Sequence, residues 1–585
     1  MVDGMVISGA ELSETEVKRL EAVGAAGAIL PGAGRSIGLF GGDPSVFREL
    51  GNPTAITVYI GTLLAAYVAT FVAQWFVPEI TDISWIFVMC EKILAGEHLY
   101  TDIMETNPPM TVLLYMPTVL LSHLVRLSPE LLEIGLVSLL AWAVIKWTSR
   151  LLYASNQIQS ISRYRVIATL GFVLLPLGCF SEREHIALLV TLPVVAVTAA
   201  RADGYRIDWR VALIAGLGEG LAATIKPQLV LPILLMVGYA VIRTRSLRVP
   251  FRLEHWIGAA VAVLYLSSVY GFFPDYMTRM MPLLMETYRP VRYPLANIAG
   301  AEGAIVFYLM VGALVLIRGR MVLAPRLMMP LLASIGYFGS YIEQSKGWPY
   351  HLYPAIGLIG VTLLNDVITT AAKANVRDLR GRLRFTLEIA TIVGFIISVG
   401  FQAEYLEDRQ WDSFPLVATI RKLAPHPTIA IMSDDLGLTN PLVRMVDGTF
   451  VGTLASQWIT NYANFRLEHE HLDPATQARM ESWIEYDRAV LANDLRRAHP
   501  DFIVVDRGGP DYLTWAQQSP ELAALIRDYR QAGRANDVYL LARSDLAPSE
   551  PHPSSGKFWR LGGSDRWDGL NGRDETLRIV RAAER

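Results

Sequence analysis

The sequence predicts a polytopic α-helical membrane protein whose last third forms a water-soluble α/β domain of its own. Three observations carry that expectation. Of 585 residues, 52% are hydrophobic and only 18% charged, at a mean hydropathy of +0.33, an apolar load beyond what the core of a soluble chain needs. Apolar runs long enough for about 30 Å of hydrocarbon recur as far as Gly394. After Gln402 the chain turns polar and alternates short β-like runs with helical stretches.

Residues 1–54 are of mixed polarity, with several glycines between Gly24 and Gly42, and lack the basic-then-apolar order of a secretory signal; they read as a cytoplasmic leader. Residues 55–401 hold spans centred near Val68, Leu139, Val173, Val190, Ala215, Leu235, Val263, Val311, Ser334, Gly360 and Gly394, about eleven in all. Basic residues gather in alternate loops, at Lys146 to Arg165, Arg201 to Arg210, Arg243 to Arg252, Arg318 to Arg326 and Lys373 to Arg384, which assigns those loops to the cytoplasm.

The first extracytoplasmic loop is then 78–128. Its apolar stretch Met110 to Val125 would reverse every later loop if it crossed, and it is short, contains Pro117 and is followed by Arg126. It reads as an interfacial or re-entrant helix. Residues 402–547 form the extracytoplasmic α/β domain, with strands at Thr428 to Met432, Phe502 to Val505 and Val538 to Leu541 and a helix at Pro474 to Ala498; 548–585 is a polar tail.

Charge excludes one partner class: a formal net charge of −3 offers no basic face for nucleic acid. Two cysteines, Cys90 and Cys179, cannot build a disulfide framework or a zinc cluster. Ionisable side chains gather instead at the extracytoplasmic ends of the spans. The first loop carries Asp82, Asp102 and Glu105, the last just before Pro108-Pro109. Ser181-Glu182-Arg183-Glu184-His185 packs four ionisable groups between two apolar runs, where they need partners. Arg183 suits a phosphate, which a guanidinium can grip bidentately, with Glu184 and His185 orienting it or sharing a metal. Lys226, before Pro227, offers an ammonium to a phosphate or snorkels to headgroups.

A fourth constellation runs from Glu343 to His351 and joins Lys346, Trp348, Tyr350 and His351. The aromatics suit an interface belt, whereas Lys346 and His351 point to phosphate or sugar. Arg289 and Arg292 flank Pro290 and suit donor phosphate or lipid headgroups equally. Glu219 falls near the middle of a span and is not assigned to chemistry. Glu105, Glu184 and His185 are the candidates for a divalent ion, although no tight ligand spacing marks a metal site. No other cofactor is implied.

The order Asp82, Gly96 and Tyr100, Glu105, Pro108-Pro109 resembles the GT-C superfamily of membrane glycosyltransferases, in particular the branch of protein O-mannosyltransferases and the lipid A aminoarabinose transferase. Ile83 stands where many members have a second acidic residue. The resemblance implies a GT-C fold with interfacial helices in the first loop. It implies transfer of a sugar from a polyprenyl-phosphate donor to an envelope glycan, lipid or protein, outside the bacterial cytoplasmic membrane, among membrane lipids. Asp82 would be the base, since a carboxylate near the anomeric carbon can take the acceptor proton; its alternative is a helix cap. Arg183, Lys226, Lys346, His351 and Tyr350 would hold the donor, and Asp102, Glu105, Glu184, His185, Arg289 and Arg292 would support the acceptor or the site. The rival readings are a ligase of lipid-linked glycans, a transporter or flippase, and an assembly partner without activity.

Overall fold

The structure, a computed structural model, describes residues 35–38, 46–76, 81–371, 394 and 413–546. The leader before residue 35, nearly all of the run around Gly394, the turn to polar sequence at Gln402 and the tail lie outside the described residues.

Apolar sequence forms helices in chain order: α1 (Pro53–Phe76), α2 (Thr81–Leu94), α3 (Met110–Val125), α4 (Pro129–Ala154), α5 (Ile161–Thr169), α6 (Arg183–Ala202), α7 (Trp209–Ile225), α8 (Leu231–Thr244), α9 (Leu253–Phe272), α10 (Glu302–Arg318), α11 (Pro325–Gln344) and α12 (Pro349–Ala371). Among the described residues seven of these segments, at α1, α4, α6, α8, α9, α10 and α12, are long and apolar enough to cross a bilayer. The runs centred on Ala215 and Ser334 are helical as α7, of 17 residues, and α11, which carries Ser, Gly, Glu and Gln among its apolar side chains.

The run centred on Val173 departs from expectation. It is α5, a π-helical turn at Leu170–Leu174 and a 3-10 turn at Leu177–Cys179. Pro176 has no amide proton to continue the helix, and Leu177 and Ser181 adopt positive φ, so the chain folds back where a straight span was predicted. In α3, by contrast, Pro117 does not interrupt the helix, which runs unbroken for 16 residues.

Helix α6 is buried on every face and sits at the centre of the bundle, packed against α4, α7, α8, α11 and α12. Glycines let α7 press against it. A Cβ on Gly218 would stand 2.2 Å from the Val190 carbonyl oxygen, and one on Gly220 would stand 2.4 Å from Cβ of Val261 on α9. Helix α1 instead exposes Val58, Leu64 and Val68 outward, as a lipid-facing helix must.

At one end of the bundle β1 (Ser36–Ile37) pairs in parallel with β2 (Arg206–Ile207). At the other end lies the C-terminal region: α13 (Leu416–Leu423), β3 (Thr428–Met432), β4 (Thr449–Phe450), α14 (Trp458–His469), α15 (Pro474–Ala498), β5 (Phe502–Asp506), β6 (Tyr529–Ala535) and β7 (Val538–Arg543). The sheet runs β4-β3-β5-β7-β6, with β3 parallel to β4 and β5, and β7 antiparallel to β5 and β6. The predicted strands stand where the apolar runs put them, and the long polar helix spans Pro474–Ala498 as expected. Strand β6 was not predicted because Tyr-Arg-Gln-Ala-Gly-Arg-Ala shows no apolar alternation; as an edge strand it needs none.

This region docks on the first loop. The Met104 amide donates to the Thr453 carbonyl at 2.9 Å, Trp85 meets Phe450 edge-on at 5.5 Å, and Arg444 bridges Glu91 and Glu130 at 2.8 and 2.6 Å. Glu286, before the 287–294 loop, accepts from Arg479 and Trp483.

Candidate active site

Asp82 stands in the first turn of α2, and among the described residues its carboxylate accepts from side chains of other helices. Its Oδ2 accepts from Arg183 Nη2 at 3.0 Å and from the Tyr350 hydroxyl at 2.9 Å. Among the described residues no hydrogen bond engages Oδ1, and the side chain is 25% exposed. Arg183 opens α6 and also donates from Nη1 to Thr111 Oγ1 at 3.3 Å. The break at Pro176 makes this meeting geometrically available, because it brings Ser181 back under α3, where the Tyr115 hydroxyl donates to its carbonyl at 2.6 Å.

A second ion pair lies beside the first. Lys226 ends α7 in an extended conformation, as a residue before proline prefers, and its Nζ donates to Glu184 Oε1 at 2.5 Å and to Gln344 Oε1 at 2.9 Å. His351 Nε2 is 3.0 Å from Lys226 Nζ and 3.2 Å from Glu184 Oε1, so it accepts from the ammonium or donates to the carboxylate according to which ring nitrogen holds the proton. Consecutive residues thus serve neighbouring pairs: Arg183 and Tyr350 meet Asp82, while Glu184 and His351 meet Lys226. Buried charges persist only when paired in this way.

Glu182, in the turn before α6, is wholly buried, and among the described residues neither of its oxygens has a hydrogen-bond partner. Arg183 Nε is 4.0 Å away. Burial and the adjacent Asp82 carboxylate push its carboxyl up to about 8. Glu182 and Gln344 were passed over as site residues; Glu182 could have been found from the cost of four consecutive ionisable groups, whereas Gln344 carries no local signal.

Other residues singled out in the sequence are engaged elsewhere. Glu105 accepts from Trp85 Nε1 at 2.8 Å and from the Asn107 amide and side chain, which fixes the loop before Pro108. Asp102 closes a turn on the His98 amide at 2.8 Å, which holds its carboxyl below the usual range. His185 uses both ring nitrogens locally, Nδ1 accepting from the Ser181 amide and Nε2 bonding to the Phe172 carbonyl. Lys346 donates to the carbonyls of Tyr288 and Val291 and lies 3.9 Å over the Tyr288 ring and 4.8 Å over Tyr462, clasping the long loop to the C-terminal region. Burial pushes its ammonium down to about 8.

Arg289 and Arg292 face Glu343 at 3.7 and 3.6 Å, all three well exposed. Glu105, Glu184 and His185 do not converge, and among the described residues no three His, Cys, Asp or Glu side chains group as metal ligands. Glu219 pairs with His255 at 2.9 Å, away from the doubled ion pair.

No family model and no curated protein matches the chain. Among solved structures it is similar to ArnT from Cupriavidus metallidurans bound to undecaprenyl phosphate, at 15% identity and a TM-score of 0.50, covering 84% of this chain and 100% of that one. The apo state of the same protein gives 16% identity, a TM-score of 0.49 and coverage of 85% and 100%. The chain therefore shares the fold of that ArnT structure, with seven described helices long and apolar enough to cross a bilayer.

Proposed function

We propose that the chain is a glycosyltransferase that moves a sugar from a polyprenyl-phosphate donor to an envelope acceptor at the outer face of the bacterial cytoplasmic membrane. The observation that carries the reading is the doubled ion pair: a carboxylate with one open oxygen, Asp82 Oδ1, beside two buried cations, Arg183 and Lys226. That is the donor set a sugar phosphate needs. The ArnT fold, seen with undecaprenyl phosphate, supports the same donor class. Basic residues at the opposite ends of the helices, among them Arg201, Arg243 and Arg318, support an extracytoplasmic site and C-terminal region.

In this mechanism the acceptor oxygen or nitrogen attacks the anomeric carbon, Asp82 takes its proton, and the bond to the lipid phosphate breaks with its electron pair on the phosphate oxygen. Arg183 and Lys226 stabilise the phosphate as its charge grows. Direct displacement inverts the anomeric carbon. Glu184, Gln344 and His351 hold the Lys226 ammonium in place and so position the clamp.

The test is transfer of labelled sugar from membrane polyprenyl-phosphate donors, comparing wild type with Asp82→Asn at equal membrane abundance. The expected loss is about 10²–10⁴-fold. Equal transfer by the variant removes Asp82 as base. Absence of wild-type transfer across a panel of donors, with and without divalent metal, removes the glycosyltransferase reading in favour of ligase or flippase.

A further inference from the structure

A polar cavity lies at the other ends of these helices. It encloses about 100 Å³ between α4, α6, α10, α11 and α12, and its polar lining includes Thr148, Gln157, Tyr164, Arg318, Arg326 and Asp366, set among apolar side chains of α6 and α12. Arg326 is the second residue of α11 and Gln344, in the candidate active site, is its last. Eighteen residues at 1.5 Å per residue separate them by about 27 Å, close to the roughly 30 Å thickness of the hydrocarbon layer. The cavity therefore opens at the opposite membrane face.

Its charges do not balance. Arg318 is held by Asp366, through Nε to Oδ2 and Nη2 to the carbonyl. Arg326 has no carboxylate and no hydrogen bond among the described residues, and its Nε is buried. Thr148 Oγ1 and Gln157 Oε1 are likewise buried without a partner. A half-buried guanidinium and an unused hydroxyl are donors awaiting an acceptor-rich anion, and a planar fork of N–H groups matches phosphate oxygens. Basic pockets between helices at the cytoplasmic face, with apolar walls for acyl chains, suit phospholipid headgroups.

We propose that this cavity binds a phosphate ester, with Arg326 as the principal ligand, Thr148 as a second donor and the Arg318–Asp366 pair setting the affinity. The site is independent of the transfer reaction proposed above.

The experiment measures thermal midpoints of the full chain in nanodiscs of phosphatidylcholine alone, of phosphatidylcholine with phosphatidylglycerol, and of phosphatidylcholine with added inorganic phosphate. Phosphatidylglycerol is expected to raise the midpoint of wild type, Arg326→Gln to abolish that rise, and Asp366→Asn, which removes the lining's carboxylate and releases Arg318, to enlarge it. An equal rise with inorganic phosphate, with the same dependence on both variants, supports the phosphate site and identifies a soluble ligand. No rise with either probe, or a rise that both variants leave unchanged, overturns the proposal. If Arg326→Gln does not fold, Asp366→Asn decides alone: an unchanged or smaller rise refutes the site.

Discussion

Lys226 offers the sharpest test of whether the second ion pair serves the fold or the chemistry. Its side chain is 10% exposed and that of Glu184 1%, with the charged atoms 2.5 Å apart. Lys226→Met removes the ammonium and leaves the Glu184 carboxylate buried, with His351 Nε2 at 3.2 Å as its remaining neighbour and Oε2 already without a partner among the described residues. Breaking one side of a buried pair costs about 3–5 kcal/mol, and the Gln344 oxygen loses its donor for about 1 kcal/mol more. Removing both charges, in Lys226→Met with Glu184→Gln, leaves no buried ion, and such replacements are often neutral. Equilibrium unfolding in mixed micelles should therefore show the single variant weakened by about 4–6 kcal/mol and the double variant restored to within about 1 kcal/mol of wild type. Sugar transfer should stay lost in both. A single variant that loses under about 1 kcal/mol, or a double variant whose loss is the sum of the singles, refutes the pairing; a double variant that recovers transfer refutes the clamp.

Two further outcomes concern the C-terminal region. Asp487 on α15 is wholly buried and accepts from the amide and hydroxyl of Thr460 on α14 at 2.9 and 2.8 Å. Burial pushes its carboxyl up from 3.8 to about 7. Because the folded group holds its proton more tightly than the unfolded one, its contribution is complete below 3.8 and is lost as pH rises through about 7. Corrected for the intrinsic pH dependence of exchange, amide protection on α14 should fall between about pH 4 and about pH 7, and Asp487→Asn should flatten that dependence; an unchanged slope in the variant refutes the assignment. Arg444 is buried and ties β4's neighbourhood to Glu91 on α2 and Glu130 on α4, whose side chains are 35% and 22% exposed. Solvent screens those carboxylates, so Arg444→Met should cost on the order of 1–3 kcal/mol. Protease should then cut within 413–546 faster while helical content holds, and wild-type cleavage rates in the variant would show that docking rests elsewhere.

Much of the architecture was legible locally. Runs of apolar residues mark the helices, because a span must satisfy its backbone internally and show apolar side chains to lipid over its whole length. Strands β3, β5 and β7 and helix α15 were found in the same way, from short stretches whose burial pattern is a property of neighbouring residues. Asp82, Arg183 and Lys226 could be singled out because charge beside lipid is costly enough to require a reason. Even the break at Pro176 was written in the chain, although the apolar residues around it hid it.

Which charges meet was decided only in three dimensions. Asp82 and Arg183 are 101 residues apart, and Lys226 and His351 are 125. Lys226 and Lys346 look alike as cations shortly before a proline at the end of an apolar run, yet one enters the doubled ion pair while the other clasps Tyr288 and Tyr462. The difference is the rotation and depth of one helix against the next, set by contacts such as Gly218 on the Val190 carbonyl. The chain determines what must be buried by itself; which side chains share a burial site depends on how whole helices pack, and that is a sum over the fold.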